Sequence, residues 1–184
     1  SPDESSLTNI SYATTCVSGR TVYVGGVRRK DEKGIIKLMG DAIFKSVPNK
    51  FDTFPTSNRL EVAVRDGENI VHLETYADRI LQFKEKTMYI INISQNIEFL
   101  EDTYKFMGVK NPAAVAKTDF GVAWVNDVGC YLYDGQSVTN LLEKNGKKVI
   151  SDTTWQSFAN LTPMIGYIPK KRQLIVVEDC SNQG

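Results

Sequence analysis

Histidine is almost missing from this sequence: His72 is the only one among 184 residues. A serine–histidine–acid or cysteine–histidine nucleophile, or a histidine-bearing metal site, would have to be built on that single residue. Cysteine is nearly as sparse. Cys16, Cys130 and Cys180 are odd in number, far apart and without CxxC spacing, which leaves a disulfide framework or a tetrahedral zinc site almost no support. They read as small thiols, buried or at the surface, in a reducing compartment. Charge of one sign is not in excess, since 22 Lys and Arg face 22 Asp and Glu. That balance argues against a dedicated nucleic-acid or membrane-surface protein, which needs a basic surplus for counterion release or lipid attraction. No apolar run approaches the roughly 20 residues of a bilayer span, so no membrane span is expected. Walker, GxGxxG, HExxH and GxSxG patterns do not occur. Accordingly no catalytic, cofactor-binding or metal-binding residue is assigned.

What is present is ordinary globular material, 41% hydrophobic and 24% charged, which excludes disordered and collagen-like classes. No charged-then-apolar stretch resembling a signal peptide is read at the start. Sequons at Asn9, Asn92 and Asn160 are as many as chance nearly supplies, and are not taken as a sign of secretion. The opening Ser1-Pro2-Asp3-Glu4, without Met, is expected to be a trimmed start or the middle of something longer.

The strongest signal is a repeat. Residues 78–91 and 120–133 share one plan, an apolar run, a polar tight turn and a return run of aromatic and β-branched residues, with Phe83 and Val125 equivalent at an offset of 42. A third copy covers 165–176, with Ile168 offset by 43 from Val125, and a fourth covers 13–25, with Val17 in the place of Phe83 at an offset of 66. Such runs bounded by Gly, Asn, Asp and Lys are hairpin strands. Met88 to Ile93 is apolar at both alternating positions, which predicts burial on both faces. Further strands are expected at 98–106, 137–142 and 60–64. A spacing in the low forties with about four strands per unit predicts an all-β, β-propeller-like fold of about four blade units. A β-sandwich with hairpins every 20 residues is the competing reading.

The longer first interval places an inserted loop at about 28–58, where the charge run from Arg28 reads as solvated and Pro48 and Pro55 exclude a central strand. After Val177 too few residues remain for outer strands, and 1–9 could supply one at most. The expectation is therefore a single propeller-like domain over 1–184, incomplete, either a fragment or a sector completed by partner chains. One helix is expected from Asp152, capped by Ser151 or Asp152 and stopped by Pro163, with Trp155, Phe158 and Leu161 on one side.

Individual residues carry little chemistry. His72 reads as a half-exposed strand residue sharing a face with Ile70 and Glu74, opposite Val71 and Leu73. Glu98, Glu101, Asp102 and the turn acids Asp66, Asp127 and Asp134 could form a glycosidase pair, although Asp66-Gly67 and Asp134-Gly135 are more simply turns. Lys144-Asn145-Gly146-Lys147-Lys148 reads as a solvated turn. Partner contact is assigned to Arg28, Arg29 and Lys30 in the loop, and to Lys170, Lys171 and Arg172 at a hairpin tip.

Asn49-Lys50-Phe51-Asp52-Thr53-Phe54-Pro55, Asp66 through Asn92 and Gly121 through Gly135 together resemble the propeller-type structural proteins of tailed bacteriophages, the tail-nozzle and neck or DNA-stabilisation components. The likeness runs from about Gly19 to Val177 as a style of blade, with an Asp-Gly turn leading to the hairpin Asp78-Arg79-Ile80-Leu81-Gln82-Phe83-Lys84-Glu85. It implies a non-enzymatic virion protein, a phage tail or neck assembly component, put together in the host cytoplasm. Its partners would be further copies in a homo-oligomeric ring and other virion proteins, with non-specific contact to packaged DNA as an option. The alternative reading is a carbohydrate-binding or glycoside-cleaving propeller using Tyr131, Tyr133 or Tyr167 to stack on sugar, and a third is a peptide-binding scaffold. Tyrosines within inner strands are better explained as core.

Overall fold

The computed structural model describes residues 10–31, 33–60 and 66–178. The described residues are mostly strand, arranged as separate antiparallel sheets with one short α-helix, and no sheet closes on itself. The chain divides into two compact units, Ser1–Glu85 with Tyr89–Thr103 and Lys86–Met88 with Tyr104–Gly184.

The first unit opens with β1 (Ile10–Ser11), β2 (Thr14–Ser18), β3 (Thr21–Lys30) and β4 (Ile36–Lys45). The long β3 pairs with β2 and then β1 along one edge, and with β4 along the other. The ladder slips between Gly25 and Val27. Gly26 sits there at φ 65°, and a Cβ on it would lie 2.7 Å from that of Ala13, so only glycine fits both the dihedral and the space. The expected loop over 28–58 is corrected by this sheet. Arg28, Arg29 and Lys30 complete β3, while Ile36–Lys45 returns as β4, because β-branched and aliphatic residues between the charges supply a ladder partner. Only the stretch containing Pro48 and Pro55 stays without a long strand, as those prolines require.

The first unit also holds all but the ends of a four-stranded meander, β5 (Ile70–Tyr76), β6 (Arg79–Lys84), β7 (Thr87–Asn92) and β8 (Phe99–Lys105). Strand β7 is buried at every position after the first, as its doubly apolar run predicts, and so is β6 although it carries Gln82 and Lys84, whereas the edge strand β8 is largely exposed. A bulge between Ile70 and His72 corrects the simple alternation of β5. It turns Ile70 into the same core as Leu73, while His72 and Glu74 do share a face. That core joins Cys16, Tyr23, Ile43, Leu60, Ile80 and Ile91; a second one gathers Val24, Val27, Ala42, Phe44 and Phe54.

The second unit contains another four-stranded meander, β9 (Val115–Thr118), β10 (Gly121–Val125), β11 (Cys130–Tyr133) and β12 (Val138–Asn140). A small hairpin follows, β13 (Glu143–Lys144) with β14 (Lys147–Lys148). The helix α1 (Asp152–Phe158) is capped by Ser151, whose hydroxyl accepts the Thr154 N–H at 3.2 Å. Of its aromatic pair only Trp155 is buried; Phe158 and Leu161 are exposed. Finally β15 (Pro163–Ile168) and β16 (Gln173–Glu178) form a two-stranded sheet, with β15 packed on β9 and β10.

All four hairpins of the repeat therefore exist at the expected positions, as β2–β3, β6–β7, β10–β11 and β15–β16. Six residues beyond the equivalent Val17, Phe83, Val125 and Ile168 stand Tyr23, Tyr89, Tyr131 and Leu174, and the three tyrosines are all buried. Strands expected at 98–106 and 137–142 are β8 and β12. Residues 61–64 of the 60–64 expectation, the 1–9 strand and Cys180 lie outside the described residues. Cys16 and Cys130 are both buried.

Candidate functional site

The acids singled out from the sequence are mostly committed to holding the fold. Glu98 accepts from Lys45 Nζ at 2.6 Å, Glu101 forms a two-pronged pair with Arg79, and Asp102 accepts the Thr103 N–H at 2.8 Å. Asp134 accepts the Gln136 and Ser137 N–H groups at 2.9 Å, and these bonds hold its carboxyl below the usual range. His72 meets the Glu74 carboxylate at 3.2 Å beside the Phe83 ring. Among the described residues no group of three or more His, Cys, Asp or Glu side chains could hold a metal ion. No helix among them is long and apolar enough to cross a membrane.

Asp66 is the most tightly engaged acid. It accepts from Lys84 Nζ at 2.5 Å and from the Tyr89 hydroxyl at 2.9 Å, with the ammonium also lying 5.5 Å from the centre of the Tyr89 ring. Burial pushes the Asp66 carboxyl up, but the bonds from Lys84, the Glu68 N–H and Tyr89 outweigh it, and the net shift is downward. Lys84 itself is fully buried. A carboxylate so paired is a strut rather than a proton-transfer group.

Free polar chemistry is found instead on two surfaces. The first is the outer half of the β3–β4 hairpin, an arm exposed through most of residues 28–38. Register places Arg28 opposite Leu38 and Lys30 opposite Ile36 on one face, so cations and exposed aliphatics alternate there. On the other face Arg29 stands directly opposite Lys37. Shallow hollows join this pair to Lys33 on one side and Arg59 on the other. Asp31, the acid among the described residues of this turn, uses its Oδ1 to cap it at Lys33 and Ile35 at 2.9 and 2.8 Å. Like charges directly opposite in a ladder are destabilising, so the Arg29–Lys37 pairing costs the hairpin stability. The outer edge of β4 before Ala42 carries no strand among the described residues.

The second surface is the β15–β16 tip, where Lys170, Lys171 and Arg172 are exposed as expected. Arg172 has φ 49° and lies 5.9 Å over the Phe120 ring, and the Tyr167 hydroxyl bonds Asp119 at 3.0 Å. The tip is thereby held while Lys170 and Lys171 project. Tyr131 and Tyr133 are core, at 3% and 2% exposure, so neither presents a ring face for a sugar.

The sequence did not single out Glu143 or Lys148 as a site. They line a hollow of about 320 Å³ together with Asp127, Tyr131 and Asp152. Their only sequence signal is the acid–lysine alternation around the β13–β14 turn, and that pattern is common to solvated turns. Compared with protein-family models the chain matches none, and no curated protein matches it either.

Proposed function

We propose that this chain is a non-enzymatic structural protein of a bacteriophage virion, a tail or neck assembly component whose subunits contact one another in a ring. Its fold in that reading is an incomplete β-propeller of about four blade-like units. The observation that supports it most is the fourfold recurrence of one hairpin, twice as the inner pair of a four-stranded antiparallel meander. That is the construction of a propeller blade. Among the described residues the last repeat is a two-stranded sheet, with Ile175 and Val177 exposed on β16, a surface suited to further strands or to a neighbouring subunit.

Function in this reading is contact rather than turnover. The arm carrying Arg28, Arg29 and Lys30 and the tip carrying Lys170, Lys171 and Arg172 are the contact points, toward other virion proteins and further copies. Opposed cations on the arm favour an acidic protein face or the phosphate backbone of packaged DNA. The test is the native mass of the natural protein by light scattering after size exclusion. A discrete mass several-fold above 20.6 kDa per chain is expected, with rings visible by electron microscopy. A clean monomer at all concentrations overturns the ring.

A further inference from the structure

The hollow on the second unit is electrostatically unbalanced. Asp127, Glu143 and Asp152 line it against one ammonium, Lys148. Lys148 Nζ bonds both oxygens of Asp152 at 2.7 and 2.6 Å, so that pair is spent. Glu143 stands opposite Lys148 in the β13–β14 ladder, which turns Lys144 and Lys147 to the other face. Asp127 and Glu143 are left without an ion pair among the described residues, Glu143 facing a Lys148 already engaged by Asp152.

An independent feature marks the hollow as a binding site. Tyr131 is 97% buried by its 3% exposure, yet its hydroxyl reaches the hollow and has no hydrogen-bond partner among the described residues. A Cβ at position 129 would lie 2.7 Å from that hydroxyl, so Gly129 keeps its place open. Burial first, and then Cys130 and the carboxylates of Asp127, Glu143 and Asp152, push the phenol up to about 12. It stays protonated, able to donate to a carboxylate and accept from an ammonium. Exposed Val128 and Ile150 supply apolar walls. Two free carboxylates, one phenol and an aliphatic rim suit a lysine side chain, whose charged end and methylene stem need both.

The same unit carries a matching knob. Lys170 and Lys171 project from the β15–β16 turn, closed by Lys171 N–H to Ile168 O and Arg172 N–H to Pro169 O, each at 3.2 Å. With Arg172 over Phe120 and Tyr167 tied to Asp119, the turn is ordered before any partner arrives, which lowers the entropic cost of docking. Pocket and knob are built from different elements, so one copy can dock on the next head-to-tail, a contact that forms a ring where the rotation between copies closes.

We propose that the Lys170–Lys171 tip of one copy seats in the Asp127–Glu143–Tyr131 hollow of the next. This rests on the ring reading above and names its contact. Three preparations decide it, followed by light scattering over a concentration series: the wild type, Lys170→Glu with Lys171→Glu, and Asp127→Lys with Glu143→Lys. Each double variant, checked for an unchanged unfolding transition, is expected to need at least tenfold more protein to assemble. A one-to-one mixture of the two should recover assembly, because each reversed patch then meets its complement. Variants that assemble like the wild type overturn this contact and leave the ring standing. If the wild type never assembles, the ring reading fails, and a cyclised peptide of residues 167–174 tests the contact alone. Chemical-shift changes confined to the hollow would uphold it, and their absence would overturn it.

Discussion

Single residues in this molecule divide into those that stabilise by satisfying buried polarity and those that do not. Asn126, in the β10–β11 turn, belongs to the first kind. Its Nδ2 donates to Phe106 O and Gly108 O at 3.0 and 2.8 Å, and its Oδ1 accepts the Val128 and Gly129 N–H groups at 2.9 Å. Asn126→Ala should cost about 3 kcal/mol in urea unfolding, since buried partners lose their bonds. Gln82 is the opposite case, with no exposure and neither amide atom bonded. Gln82→Leu is expected to raise stability by about 1 kcal/mol; a loss on the same measurement would mean the amide has a partner. Asp66 adds a pH signature. Its folded carboxyl is shifted downward from 3.8, so its stabilisation is full above that value and fades as pH falls through the folded one. Asp66→Asn should lower stability at neutral pH by about 2 kcal/mol and flatten the acid limb of the stability–pH curve below about pH 4.

At the scale of elements, the hairpins were legible because their chemistry is local. An apolar run, a short polar turn (two residues between β6 and β7, four between β10 and β11) and an aromatic or β-branched return specify each hairpin within about 14 positions. The Ser151 cap and the Pro163 stop made α1 legible in the same way. The arm was not, because a charge run looks solvated whether it lies in a loop or on an exposed strand, and only the ladder with β4 separates the two. The β5 bulge was hidden for a related reason: alternation assumes an unbroken pleat, and the inserted residue reversed the phase at Ile70. The arm carries its own prediction. Lys37→Glu replaces a repulsive cross-strand pair with an attractive one, and should stabilise the isolated chain by roughly 0.5 kcal/mol in thermal unfolding. The same change should weaken retention on an anionic column at moderate salt, where screening leaves close charges their effect.

For the whole molecule, the spacing of repeats, the paucity of histidine and cysteine and the balance of charge already determined an all-β chain built from recurring hairpins. They did so because strand period, turn residues and composition act over short distances and need no knowledge of the fold. The sequence also determined that Lys170, Lys171 and Arg172 lie at a tip, since they occupy the turn of a repeat. Other matters were decided only by tertiary structure: the division into two compact units, the long β3 flanked on both sides, and the commitment of Glu98, Glu101 and Asp66 to struts. The acidic hollow belongs with these. Asp127, Tyr131, Glu143 and Asp152 are spread over 26 positions (127 to 152, inclusive), in a turn, a strand, a hairpin and the first turn of a helix. Each by itself has an ordinary local explanation. Only packing brings their charges within reach of one phenol, because electrostatic fields depend on distance in space and sequence spacing carries no record of it.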